Sequence, residues 1–406
     1  MSGTQVSCRV CDLQDFDLIL DLGDQPWGNG FIPTSRIQDE KSYPLKLIRC
    51  RNCETAQLDF TVPKEAMFID HTYLSGTTKT LENHFFVTAQ MVQNKFLNDK
   101  ENAKILDIGS NDGQQLKQYI NLGYDVLGVE SATVVSKIAN DSGVPTINKF
   151  FNLETAEKID EKFDVINASG VFFHLEELHS VTDGIKFLLK PDGVFVVQFI
   201  YMKLMQDNIA FDQIYHEHLL YYSLKTIEIL LNKHGLEMFD AYVSPIHGGS
   251  IVGYVGHAGA WNKSNRLHEL REEEEASQTN SLERYLQFAK DAHISKEKTR
   301  KWVDSQRKNG KTIFGLGAPV KGNTLLNFFD LNQEEIPYLT ERNPLRKGLV
   351  SPGKHIPVIM DDDLPFEPDS YLVLAWNFKE EILKRHSEDL KKGIEFFFPV
   401  DTEGLK

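Results

Sequence analysis

Ala103-Lys-Ile-Leu-Asp107-Ile-Gly109-Ser-Asn111-Asp112-Gly113 is the stretch whose reading decides the fold. Its apolar run reads as a buried parallel strand. The glycines let backbone amides approach a ligand at the start of a helix expected over 114–120. A second strand, Asp125-Val-Leu-Gly-Val-Glu130, ends in a carboxylate about 20 residues beyond the loop, where an acid can accept two ribose hydroxyls. Phe163-Asp-Val-Ile-Asn167-Ala-Ser-Gly-Val171 reads as the next strand and loop, with His174 just past its carboxyl end. A helix over 176–189, the turn Lys190-Pro-Asp-Gly193, a strand over 194–199, a helix over 225–236 and a closing strand pair at 237–243 and 251–257 continue the alternation. Strands alternating with helices imply an α/β fold with a doubly wound sheet, whose ligands lie at the carboxyl ends of the strands.

The spacing G-x-x-x-G departs from the dinucleotide fingerprint and fits better the shorter glycine loop of S-adenosylmethionine (SAM) methyltransferases. A Pro-Asp-Gly turn before a late apolar strand, and a paired strand at the end, are familiar from class I methyltransferases.

Outward on the amino-terminal side lie all four cysteines, as Cys8-Arg-Val-Cys11 and Cys50-Arg-Asn-Cys53. Each C-x2-C knuckle brings two sulfurs to one side of a tight turn, and two knuckles complete a tetrahedral thiolate site. This favours structural zinc over four buried free thiols or a redox pair. Four protein ligands leave no open position for catalysis. Between the knuckles, Leu22-Gly-Asp-Gln-Pro-Trp-Gly-Asn29-Gly is a polar loop that reads either as a ligand-facing segment or as simple turns. Residues 71–100 begin with His71-Thr-Tyr73-Leu-Ser75-Gly and continue as an amphipathic helix to about Leu97.

On the carboxyl side, residues 262–310 are charged and helical, including Glu272–Glu275, and read as a solvated helical linker or helical pair. Lys311-Thr-Ile-Phe-Gly315-Leu-Gly317-Ala-Pro-Val-Lys321-Gly-Asn323 then opens a second strand, glycine loop and helix start. Its loop, with Lys321, Arg342 and Lys347, could hold a phosphate group or be purely structural.

The division expected is a zinc-binding domain at 1–70, a methyltransferase domain at 71–261, a helical linker at 262–310 and a Rossmann-like domain at 311–406. At roughly 150 residues per domain, 406 residues accommodate two or three. Apolar residues at 41% and charged residues at 25% mark a soluble globular protein. A formal charge of −15 argues against a nucleic-acid or anionic-membrane surface but leaves room for a local basic pocket. The start, Met1-Ser-Gly-Thr-Gln-Val, lacks a basic segment followed by an apolar run, and no apolar stretch reaches roughly 18 residues. A cytoplasmic protein with reduced cysteines is therefore expected.

The densest chemistry lies in Phe211-Asp-Gln-Ile-Tyr215-His216-Glu217-His218-Leu-Leu-Tyr-Tyr222, which holds three phenols, two imidazoles and two carboxylates. Such density suggests proton chemistry; the bland alternative is a buried polar network at a domain junction. A helical turn would put Tyr215 and His218 on one face, whereas a strand would separate them.

Taken in order, the paired knuckles, D-I-G-S-N-D-G, I-Y-H-E-H, H-G-G-S at 247–250, G-A-x-x-K-G-N-T-L-L and A-W-N-F at 375–378 resemble the SAM-dependent C-methyltransferases of deoxysugar biosynthesis. The resemblance spans nearly the whole chain. It implies a class I methyltransferase sheet flanked by a small zinc-binding domain and a second Rossmann-like domain, with Cys8, Cys11, Cys50 and Cys53 on zinc. SAM is then expected among Asp107, Gly109, Asn111, Asp112, Gly113, Glu130 and Asn167. The catalytic group carries over as Tyr73, His174, Tyr215, Glu217 and His218, with His218 the base. The substrate implied is a nucleotide-linked 4-keto-6-deoxysugar methylated next to its ketone, commonly at C3; with three domains around one cleft, a monomer is expected. Departures at Gln114, Ser131-Ala, Gln198-Phe-Ile, Ile251-Val252 and Glu341 bear on the substrate more than on the reaction. The alternatives are O- or N-methylation of another phosphorylated small molecule, or a catalytically silent nucleotide-sugar binder.

Overall fold

The computed structural model describes residues 3–69, 79–100 and 102–400. The decisive stretch forms the strand Lys104–Ile108, one member of a seven-stranded sheet. Along the sheet the order is Leu236–Ser244, Ser250–His257, Leu189–Ile200, Phe163–Ser169, Lys104–Ile108, Asp125–Glu130 and Thr146–Asn148. The last five run parallel, and Ser250–His257 pairs antiparallel with both of its neighbours. Ile105, Leu106, Ile108, Val165, Ile166 and Ala168 are all buried, as continuous apolar runs must be when helices cover both faces. Helix Gln114–Asn121 lies on one such face and seals it with Leu116 and Tyr119.

A second sheet, near the carboxyl end, is five-stranded and wholly parallel. Its order is Val358–Met360, Leu339–Glu341, Ile313–Leu316, Ser370–Val373 and Glu395–Phe397. The chain starts at the central strand, winds outward one way and then the other. Its topological switch point therefore lies between Ile313–Leu316 and Ser370–Val373. Helix Val320–Phe329 leaves the first of these strands.

The amino-terminal sheet is antiparallel: Phe16–Pro26, Ser42–Cys50 and Ala56–Leu58, joined at its edge by Leu220–Tyr221. The strand that follows His218 thus belongs to the sheet that carries the cysteines. The Tyr-His-Glu-His stretch is tethered to the amino-terminal fold by backbone hydrogen bonds, including Leu58 N–H to the Leu219 carbonyl at 3.0 Å.

The segment read as a solvated linker is helical, as Asn265–Ala276 and Leu282–Lys308, but it is not a solvated connection. Tyr285, Phe288, Ala292, Ser295, Thr299, Val303 and Gln306 form a buried stripe at three- and four-residue steps. Ser, Thr and Gln within that stripe disguise it as hydrophilic. Glu274, also buried, accepts the Leu224 and Lys225 amides at 2.7 and 3.0 Å and so caps helix Leu224–Lys233. Arg49 reaches the Asn280 carbonyl at 2.7 Å, and the Ser295 hydroxyl reaches Pro399 O at 2.7 Å. The helical pair is a brace between the three sheets. None of the described helices is long and apolar enough to cross a membrane.

Candidate active site

The turn after Lys104–Ile108 is built on left-handed backbone. Gly109 (φ 68°), Asn111 (φ 51°) and Gly113 (φ 77°) fold it back on itself. A Cβ on Gly109 would lie 2.6 Å from Val171 Cγ2, so the site needs glycine for space as well as conformation. Glu130, at the end of the neighbouring strand, accepts the Asn111 amide at 3.0 Å and the Ala132 amide at 2.7 Å. Those amides oppose the burial that raises its pKa. Asp107 is enclosed, and burial together with nearby Glu130 pushes its carboxyl well up. Asn167 pairs in register with Asp107 on the next strand. Its side-chain oxygen accepts the Tyr119 hydroxyl at 3.3 Å, while its Nδ2 is buried with no partner among the described residues. Asp112 is buried beside this turn. The left-handed cradle, the anchored carboxylate on the second strand and the unsatisfied amide fit SAM. Gly109→Ala is expected to lower SAM affinity at least tenfold in calorimetry; affinity equal to wild type would show that the tight approach to Val171 is not used.

The four cysteine sulfurs lie within 4.8 Å of one another. Cys8 Sγ is 3.4 Å from Cys53 Sγ, and Cys11 Sγ is 3.6 Å from Cys50 Sγ. Four thiolates at about 2.3 Å from one zinc sit about 3.8 Å apart, so the donor set fits a closed tetrahedral centre.

The residues of the Tyr-His-Glu-His stretch form a tight turn in which the His218 amide donates to Tyr215 O at 2.9 Å. This brings the Tyr215 ring against the His218 imidazole, 3.9 Å between centroids and tilted by 38°. Phe173 and His174 close two more sides of His218, at 4.5 and 5.0 Å. The His218 Nδ1–H donates to the Gln213 carbonyl at 2.8 Å, which fixes the tautomer and leaves the lone pair on Nε2. Burial, reinforced by His174, His247 and Lys321, holds its pKa well below 6.5, so the ring is neutral at pH 7. His174 Nδ1 donates to the Glu217 carbonyl at 2.5 Å. His216 faces away, toward Tyr43 O and Pro44 O at 3.3 Å each, and burial lowers its pKa to about 4. Tyr73 lies outside the described residues.

The Glu217 carboxylate reaches the polar loop between the cysteine knuckles. Oε1 accepts the Trp27 indole N–H at 2.7 Å. Burial raises the Glu217 pKa to about 7, against the lowering effects of Trp27 and Arg346. A raised pKa in the fold means stability that is full below the unfolded carboxyl pKa and is lost as pH rises through about 7. Trp27→Phe removes a donor to the carboxylate and should raise that pKa further. A limb of the kcat/KM pH profile titrating near 7 is then expected to move to higher pH; an unmoved limb would disconnect Glu217 from it.

The loop around Trp27 therefore faces the site. Gly28 O accepts Asn323 Nδ2 at 2.6 Å, and Asn29 Oδ1 accepts Arg346 Nη2 at 3.3 Å. Of the three cations grouped from sequence for a phosphate, Lys347 pairs with Asp363 at 2.6 Å and Arg342 lies near Glu381 at 3.9 Å, both exposed. Lys321 is instead buried, with Asp212 Oδ2 3.9 Å from its ammonium. Arg346 and His84 carried no signal in the sequence, whereas Trp27 lies in the loop read either as ligand-facing or as simple turns and His247 in the H-G-G-S motif. The departure at Gln198 has a structural partner, with His84 Nε2 2.6 Å from its Oε1. The H-G-G-S motif was the available signal for His247, whose carbonyl accepts Gln213 Nε2 at 2.7 Å.

A mixed, mostly parallel sheet with this strand order, a glycine cradle and an acidic second strand define a SAM-dependent methyltransferase, here with a thiolate metal site at one end. Three family models match in register: "Putative zinc binding domain" over residues 8–68, "Methyltransferase domain" over 87–241 and "C-methyltransferase C-terminal domain" over 245–401. The C-methyltransferase NovU of Streptomyces niveus is 31% identical over 400 residues, covering 97% of this chain and 95% of its own. The chain belongs to this C-methyltransferase family. A ubiquinone biosynthesis O-methyltransferase from Actinobacillus pleuropneumoniae is 35% identical over 101 residues, 22% of this chain and 43% of that protein. Among solved structures, the PH0226 protein of Pyrococcus horikoshii overlaps 46% of this chain and 95% of its own, at 17% identity and a TM-score of 0.36.

Proposed function

We propose that this C-methyltransferase acts on a nucleotide-linked 4-keto-6-deoxysugar, at C3, through an enolate generated by His218. The observation that carries the reading is the fixed tautomer of His218, whose basic Nε2 is enclosed by Tyr215, Phe173 and His174. A carbon beside a ketone becomes nucleophilic only when its proton leaves, and an imidazole that stays neutral at pH 7 can take it. Bound SAM supplies the electrophilic methyl group. His174 and Tyr215 hydrogen-bond the 4-oxygen or hold the base. Glu217 orients His174 through its carbonyl and ties the turn to Trp27 through its carboxylate. Tyr73 completes the group, and Asp107, Gly109, Asn111, Asp112, Gly113, Glu130 and Asn167 hold SAM. Zinc on Cys8, Cys11, Cys50 and Cys53 is structural. In this reading 1–70 carries the metal, 71–261 binds SAM, 262–310 braces and 311–406 closes over the substrate, in a cytoplasmic monomer.

The test is SAM consumption against dTDP-, GDP- and CDP-linked 4-keto-6-deoxyhexoses, with deuterium uptake at C3 followed in parallel. Methylation on oxygen or nitrogen without carbon-bound exchange would replace this reading.

A further inference from the structure

Lys321 carries its charge where an ammonium without a hydrogen-bond acceptor is costly. Only 9% of the residue is exposed, and its ammonium has no hydrogen-bond acceptor among the described residues. Asp212 Oδ2 is 3.9 Å away, too far for a hydrogen bond, and is already taken by the Trp376 indole N–H at 2.5 Å. Asp212 Oδ1 is likewise buried without a partner. The ammonium lies 3.9 Å from the centroid of the Trp376 ring, which holds it by cation–π attraction without using any of its three N–H donors. A buried ammonium left this way costs free energy unless something else completes it.

Its location suggests what does. Gly317, on the loop before Lys321, follows one strand of the carboxyl-terminal switch point, and Trp376 follows the other. In open parallel sheets this crevice is where ligands bind. The helix that carries Lys321 packs against the turn that holds His218. Asp212 precedes Gln213, the residue whose carbonyl orients His218 and whose side chain holds the His247 carbonyl. The Thr324 hydroxyl, one helical turn beyond Lys321, donates to Ile214 O at 3.1 Å and pins helix Val320–Phe329 to that turn. Lys321 also acts electrostatically on both His218 and His247.

We propose that Lys321 is a catalytic residue whose ammonium pairs with the oxygen of the enolate formed at His218. The inference rests on the enolate reading given above. In the step, the carbon-bound proton passes to His218 Nε2, the C–H electron pair becomes the new C=C bond, and the carbonyl π pair moves onto oxygen beside Lys321. The site then holds the enolate between two cations, imidazolium and ammonium, in a medium poor in water. An imidazole made less basic by burial needs such a counter-charge if the proton is to leave carbon at a useful rate.

The test measures deuterium uptake at C3 of the dTDP-, GDP- and CDP-linked 4-keto-6-deoxyhexoses with S-adenosylhomocysteine present, so that enolate formation is read without methyl transfer. Lys321→Met is expected to slow exchange and methylation alike by about 100-fold, the usual effect of removing one oxyanion donor, at nearly unchanged KM. Exchange at the wild-type rate in K321M, or a raised KM with kcat preserved, would overturn the proposal; the second result would make Lys321 a phosphate or sugar anchor. If K321M melts well below wild type, Lys321→Arg carries the test: exchange recovered with the charge supports the proposal, and exchange as slow as in K321M overturns it. Wild-type protein that exchanges none of the three sugars overturns the enolate reading itself, and the Lys321 role with it.

Discussion

His218→Ala is expected to leave SAM binding at wild-type affinity while methyl transfer and deuterium uptake at the substrate carbon fall together by about 1,000-fold. A positioned general base contributes roughly 10² to 10⁴ in rate, and the His218 ring is fixed on several sides. Gln213 fixes its tautomer, Tyr215 and Phe173 its plane, and His174 packs against it. The SAM cradle lies on other strands and shares none of these contacts. Calorimetry with SAM and exchange with the ketosugar panel therefore separate the two functions. A melting curve guards against the cavity left by a buried ring. Normal exchange in a folded H218A protein would remove His218 as the base, and His174 would then be the next imidazole to test.

Cys53→Ser is expected to cost the protein its metal and, with it, both stability and activity. A structural zinc contributes roughly 10–16 kcal/mol in small zinc-binding peptides. That rivals the whole stability of a typical domain, about 5–15 kcal/mol. The effect should reach the active site along a traceable path. Cys50 ends the strand Ser42–Cys50, which pairs with Ala56–Leu58, which pairs in turn with Leu220–Tyr221, two residues after His218. The same sheet leads into the loop that carries Trp27 to Glu217. Metal analysis should find about one zinc per wild-type chain and much less in C53S, with a lower melting temperature and parallel loss of turnover. Chelated protein that keeps its melting temperature and its activity would show that the sulfurs support the fold without metal.

The sequence was most informative where chemistry is local. The strand, glycine turn and acidic second strand of the SAM cradle occupy 28 consecutive positions, Ala103 to Glu130, so spacing alone announces them. The cysteine knuckles are local in the same sense, and their pairing across the long spacer follows from there being no other cysteines. The turn at Tyr215–His218 was legible as a condition: the two rings meet only if the backbone curls, and it does. The same turn sends the intervening His216 imidazole outward, to Tyr43 and Pro44.

Tertiary structure alone decided who meets whom over long separations. Trp27 and Glu217 are 190 residues apart, and Asp212 and Trp376 are 164 apart. No periodicity encodes such pairs, because they arise where separate sheets dock. The brace at 265–308 was misread for a related reason: composition reports the average of a helix, whereas burial follows one stripe of it. Lys321 shows the limit most clearly. In sequence it is one more cation near a glycine loop, suited to a phosphate. In the fold, the packing of its helix against the turn at Tyr215–His218 takes it out of water, while Arg342 and Lys347 stay exposed. It is left beside Asp212 and Trp376, and that desolvation turns an ordinary lysine into a candidate for catalysis.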